Sequence, residues 1–136
     1  MTTLLEDKDQ IRDLFSRYCV YVDSGQAEAY VGLFTEDAIV DLGRIGRFEG
    51  RPALLELQKR KGGKTGPMRH FITNSLITVE GDTAHATSYV LVVNTAGEAP
   101  VAVMAGHYFD QLVRQEGRWL IRQRLVHPEP VLLESS

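Results

Sequence analysis

Residues 68–94, MRHFITNSLITVEGDTAHATSYVLVVN, decide the fold. Met68 to Glu80 is rich in strand formers and ends at Gly81-Asp82, a turn signal; Thr83 to Asn94 then reads as a second long strand. Two strands of this length joined by so tight a turn form an antiparallel hairpin. In the second of them, alternation puts Ala84, Ala86, Ser88, Val90, Val92 and Asn94 on one face. His85, Thr87, Tyr89, Leu91 and Val93 fall on the other.

On the C-terminal side the strand pattern continues. Thr95 to Pro100 is a looser connection, Val101 to Arg114 another long strand, Gln115-Glu116-Gly117 a turn, and Arg118 to Val126 the returning strand. The tail, residues 127–136, begins His127-Pro128-Glu129-Pro130, and its prolines are expected to end the ladder. On the N-terminal side the period changes. From Asp7 to Val22, the residues Ile11, Leu14, Phe15, Tyr18 and Val22 recur at helical spacing, and Ser24-Gly25 stops the helix. A second helix is expected from about Ala27 to Phe34, closed by Thr35-Glu36-Asp37, then a short strand over Ala38 to Leu42. Arg51-Pro52 opens a third helix. Helices first and hairpin-linked strands after is the α+β pattern. Long strands covered on one side only must twist and curl, and a curled sheet leaves a hollow.

At 136 residues the chain fits one domain. A net charge of −3 and pI near 5.8 argue against a nucleic-acid partner, which calls for a basic face. The basic run Lys59-Arg60-Lys61 with Lys64 reads as a solvated helix end entering a loop. The single Cys19 excludes an internal disulfide, and no pair of histidines has helical ligand spacing, so neither a metal nor a cofactor is expected. Gly62-Gly63-Lys64-Thr65 lacks the frame of a phosphate loop. No segment is long and apolar enough for a membrane span, and the N-terminus lacks the pattern of a secretory signal, which makes the cytoplasm the expected address.

Two residues carry the candidate chemistry. Asp23 ends the first helix, where the macrodipole disfavours a carboxylate by about 0.3–1 kcal/mol, so solvent or a partner must offset the cost. His70 lies between Met68 and Ile72 on the apolar face of its strand. A histidine there is commonly a satisfied core residue. Backed by a carboxylate, it is instead a good general base.

Several blocks together resemble the SnoaL-like family of the nuclear transport factor 2-like superfamily. They are Leu14-Phe15-Ser16-Arg17-Tyr18 leading to Asp23, Leu33-Phe34-Thr35-Glu36-Asp37-Ala38, Arg69-His70-Phe71-Ile72-Thr73-Asn74, Gly81-Asp82-Thr83-Ala84, Gly106-His107-Tyr108-Phe109-Asp110 and Gly117-Arg118-Trp119-Leu120-Ile121. The resemblance spans about residues 5–126 and implies a cone: three N-terminal helices on a strongly curved antiparallel sheet that encloses a pocket. It implies an Asp23–His70 dyad, with Tyr18 also lining the pocket. A second proton-exchanging group expected late in the next strand would fall near Asn94, which cannot exchange protons but can hold a substrate oxygen. An arginine is implied on the last strand. Alternation puts Arg122 and Arg124 on one face and does not choose between them; Arg122 is counted here among the substrate contacts.

The implied activity is a cofactor-independent lyase of the dehydratase kind, acting on a cyclic, largely apolar small molecule. His70 takes a proton from carbon, Asp23 orients it, and Tyr18, with Tyr108, binds the departing or enolising oxygen. Met68, Ile72 and Met104 shape the pocket. Alternatives are an isomerase or polyketide cyclase using the same dyad, a ligand-binding protein, or a non-catalytic partner like the dioxygenase small subunits. The apolar outer face around Tyr89, Leu91 and Val93 calls for a homodimer.

Overall fold

The computed structural model describes residues 1–61 and 67–129. Helix α1 (Leu4–Asp23) is started by a capping box: Thr3 Oγ1 accepts from the Glu6 N–H at 3.1 Å, and the Glu6 carboxylate accepts from the Thr3 N–H at 3.2 Å. Its apolar stripe, Ile11, Leu14, Phe15 and Tyr18, is buried against the sheet, each side chain stabilising the fold by about 1.5–3 kcal/mol. Asp7 fixes the start of the helix to the sheet, accepting from Arg114 Nη1 at 2.6 Å, from Trp119 Nε1 at 3.3 Å and from the Thr2 hydroxyl. Helices α2 (Ala27–Val31) and α3 (Arg51–Lys61) follow, separated by strands β1 (Phe34–Asp41) and β2 (Arg47–Glu49). The long strands are β3 (Met68–Glu80), β4 (Thr83–Asn94), β5 (Val101–Gln115) and β6 (Arg118–Pro128).

The six strands form one curled, unclosed sheet in the order β2-β1-β6-β5-β4-β3, with α1 lying along β3. The α+β architecture is the expected one, and in β4 every second residue from Ala84 to Val92 is buried. Five features differ from the sequence reading. The second helix stops at Val31, because Phe34 pairs with Ile121 and the Leu33 carbonyl accepts from the Ile121 N–H at 2.9 Å. Thr35-Glu36-Asp37 therefore lies inside β1. The short strand β2, which no apolar alternation announces, extends the edge. The β1–β6 pair is parallel, the others antiparallel.

The fifth is that the ladder runs past His127. Pro128 stands opposite Gly106, and the Glu129 N–H donates to the Ala105 carbonyl at 2.9 Å. The proline is tolerated because its nitrogen faces the other side of the strand, where β1 pairs no further than Leu125. Gly106 permits this close approach: a Cβ there would sit 2.6 Å from the His127 carbonyl oxygen. The Gly62–Gly66 segment with Lys64, and the tail from Pro130, lie outside the described residues. No helix among those described is long and apolar enough to cross a membrane.

Candidate functional site

Asp23 is the last residue of α1, and it meets the first residues of β3, an edge strand of the sheet. Its Oδ2 accepts from the backbone N–H of His70 at 3.0 Å, and its Oδ1 stands 2.6 Å from His70 Nδ1. An ionised carboxylate only accepts, so in the neutral ring Nδ1 carries the hydrogen and donates it. That leaves a lone pair on Nε2, the arrangement a general base needs. Both side chains are largely withdrawn from solvent, at 19% and 12% exposure for His70 and Asp23. The strand edge supplies what the helix end lacks: two donors for a carboxylate that the macrodipole disfavours.

His70 lines a cavity of about 320 Å³, mostly apolar, between the helices and the concave side of the sheet. Tyr18 from α1, Tyr30 from α2, and Leu57 and Gln58 from α3 form one wall. Met68, Val92, Met104, Tyr108 and Val126 form the sheet side, with Pro128 also lining the cavity. The structure thus places Tyr18, His70, Met68, Met104 and Tyr108 around one cavity.

Three expected contacts are elsewhere. Ile72 lines a separate groove of about 450 Å³ between α1 and β3, shared with Arg12, Ser16, Cys19 and the other side of His70. Asn94 ends β4, where its side-chain oxygen accepts from the Ala96 N–H at 2.8 Å and caps the turn. Arg122 is 58% exposed and faces Asp37 at 4.0 Å. The reason is a β-bulge. Gln123 stands opposite Gln111 and Ile121 opposite Leu112, so Arg122 is the extra residue and alternation fails there.

Arg124 is the arginine that turns inward. It is fully buried, and its Nε and Nη2 donate to the two oxygens of Asp110, its cross-strand partner, at 2.7 and 2.8 Å. The guanidinium carbon lies 4.2 Å from the Tyr108 ring centre, 4.3 Å from that of Tyr18 and 5.1 Å from that of Phe15. Burial opposes its charge, but Asp110 and the tyrosines hold its pKa above the ordinary arginine value. Burial also raises the pKa of Tyr18 and of Tyr108, and the charge of Arg124 works against both shifts. Both hydroxyls therefore keep their protons. Burial pushes the Cys19 thiol up to about 11, which leaves it protonated and inert.

Sequence reasoning missed two pairings. Tyr30 and Gln58 interact in the cavity wall. Helical spacing in α2 and α3 was the only signal for them, and it does not distinguish wall from core. The Asp110–Arg124 pair depends on strand register, which no local pattern prints. Among the described residues, no cluster of three His, Cys, Asp or Glu side chains is arranged to hold a metal ion.

A family model described as a SnoaL-like domain matches residues 3–125. A search of curated proteins returns no match. Among solved structures, Rv3472 from Mycobacterium tuberculosis, of unknown function, is similar at 28% identity and a TM-score of 0.87, over 96% of this chain and 76% of that one. A protein of unknown function with a cystatin-like fold from Nostoc punctiforme is similar at 26% identity and a TM-score of 0.85, over 97% and 98%. A nuclear transport factor 2-like protein from Novosphingobium aromaticivorans is similar at 28% identity and a TM-score of 0.82, over 90% and 82%.

Proposed function

The chain belongs to the SnoaL-like domain family, and from that premise we propose that it is a cofactor-independent lyase that removes a proton from carbon of a cyclic, largely apolar small molecule. His70 Nε2 takes the proton. Asp23 holds the ring in the required tautomer and balances the imidazolium that forms. Tyr18 and Tyr108 donate hydrogen bonds to the oxygen on which charge develops. In the dehydratase form of the reaction the electron pair of the broken C–H bond becomes the new double bond, hydroxide leaves, and the proton held on His70 converts it to water. An isomerase or cyclase would return or redirect the same proton.

The observation that carries this reading is the 2.6 Å Asp23–His70 contact at the wall of an apolar cavity of about 320 Å³. A purely structural domain needs no paired, desolvated acid and base there. The cavity's scarcity of polar groups favours an apolar ring system as its ligand.

The test is hydrogen–deuterium exchange at the carbon beside the carbonyl of a panel of bicyclic and tricyclic ketones, followed by NMR in deuterated water. The wild type accelerates exchange of at least one compound. His70→Ala lowers that rate by about 10²–10⁴-fold with its circular dichroism spectrum unchanged. A His70→Ala protein exchanging at the wild-type rate refutes the mechanism.

The same reading extends to assembly as a homodimer through the outer sheet face. Phe71, Tyr89, Leu91, Val103 and Phe109 form part of an apolar surface there, each at least 39% exposed. Such a patch on the side opposite the helices fits a second copy of the chain.

A further inference from the structure

Arg124 occupies a place that stability alone does not explain. Its side chain and that of its partner Asp110 are both 0% exposed, and a buried ion pair rarely improves on apolar residues of the same volume. Its Nη1, moreover, has no hydrogen-bond partner among the described residues. The geometry gives the pair a direction. Asp110 takes the edge formed by Nε and Nη2, so Nη1 lies at the end of the guanidinium away from the carboxylate. The rings stacked at 4.2 and 4.3 Å belong to Tyr108 and Tyr18, which also line the cavity. Arg124 itself does not line it. A fixed positive charge therefore lies behind two hydroxyl-bearing rings, screened from any ligand by those rings.

We propose that Arg124 is a positioning residue that turns the Tyr18–Tyr108 pair into a receptor for an oxyanion, so that the pocket selects cyclic enols and phenols in their anionic form. This rests on the reading above that the two tyrosines hold the substrate oxygen, and it names the chemical class of that substrate. In a site with little water, an oriented guanidinium needs no reorganisation to favour the negative charge that a ring oxygen gains when the neighbouring carbon loses a proton. The two phenolic hydroxyls supply the hydrogen bonds, and Arg124 supplies the field. The other titratable groups facing the pair are Cys19 and Tyr30 from the helices, Asp110 beside Arg124, and His70 across the cavity.

The probe is 4-nitrophenol, whose phenol and phenolate forms absorb at different wavelengths, titrated with pH in the presence of saturating protein. Bound to the wild type, it changes colour at a pH at least one unit below that of the free probe, which is a tenfold preference for the phenolate. The paired apolar variant Arg124→Met with Asp110→Leu abolishes that shift, and Tyr18→Phe with Tyr108→Phe abolishes it while Arg124 remains; the second variant suffices if the first does not fold. His70→Gln keeps the shift. A midpoint in the wild type equal to or above that of the free probe overturns the proposal, as does a shift that survives in either folded double variant. A shift lost in His70→Gln also overturns it, since the imidazole would then be its source. Because the readout is binding and not turnover, loss of carbon exchange with the shift retained refutes the base while leaving this proposal standing.

Discussion

Asp23→Asn separates the orienting role of the carboxylate from its shape. The native side chain satisfies two donors, the His70 ring at 2.6 Å and the His70 backbone N–H at 3.0 Å. Asparagine brings one acceptor and one donor. If its oxygen faced the ring, its NH₂ would oppose the backbone N–H, leaving a desolvated donor unpaired at a cost of about 1–3 kcal/mol. If its oxygen takes the backbone N–H, its NH₂ faces Nδ1, and the ring satisfies it by moving its hydrogen to Nε2. The second arrangement wins because every group keeps a partner. Only the charge assistance is lost, about 1–2 kcal/mol of stability, or roughly 3–10 °C in Tm for a chain of this size. The base is lost with it, since Nε2 now carries a hydrogen, and carbon exchange should fall by about 10²–10⁴-fold. Nitrogen-15 NMR of the His70 ring reads the tautomer directly, alongside exchange rate and melting temperature. An Asp23→Asn protein that keeps the hydrogen on Nδ1 and exchanges at the wild-type rate would refute the reasoning.

Two further outcomes follow from other parts of the molecule. The Asp7 pKa is lowered, first by the Thr2 hydroxyl, against the opposing effect of burial, and then by Trp119 and Arg114. A lowered folded pKa contributes stability that is present above the unfolded value of 3.8 and lost as pH falls through the folded one. Wild type should therefore melt above Asp7→Asn at neutral pH, and the gap should close in acid below that value; a gap independent of pH would contradict the assignment. On the outer face, light scattering at micromolar concentration should give a dimer mass for the wild type and a monomer mass for Leu91→Arg with Phe109→Arg. A monomeric wild type would remove the homodimer from the account.

Strands β3 and β4 were legible to the residue because both carry their own punctuation: strand formers up to Glu80, Gly81-Asp82, and alternation from Ala84 to Val92. The end of α2 was not, since Leu33 and Phe34 continue a helical pattern locally and leave it only because β6 offers a partner. The same dependence on distant partners hid the choice between Arg122 and Arg124. Alternation treats them alike, and the bulge that separates them exists only once Gln111 and Leu112 have chosen partners in β6. Asn94 shows the reverse error. A position matched to a family site was claimed first by its own turn, through Ala96. The resemblance implied roles for Asp23, His70 and Tyr18, while the meeting of His70 and Tyr18 in one cavity, with Asp23 bonded behind His70, is a property of the folded chain.

The joint between α1 and β3 explains why an acid and a base are affordable at this point of the fold. An edge strand presents unpaired N–H groups that must be covered, and a helix C-terminus presents carbonyls that do not welcome a carboxylate. Asp23 answers the first need at the expense of the second. The dipole opposes it by about 0.3–1 kcal/mol, whereas each charge-assisted hydrogen bond returns about 1.5–3 kcal/mol, so the two bonds to His70 outweigh the dipole several-fold. One of those bonds holds the backbone of β3 and the other sets the imidazole, so docking the helix on the sheet edge and fixing the ring's tautomer rest on one side chain. A truncation such as Asp23→Ala removes both at once and confounds stability with chemistry. Asp23→Asn, which keeps the strand docked while reversing the tautomer, is the substitution that tells them apart.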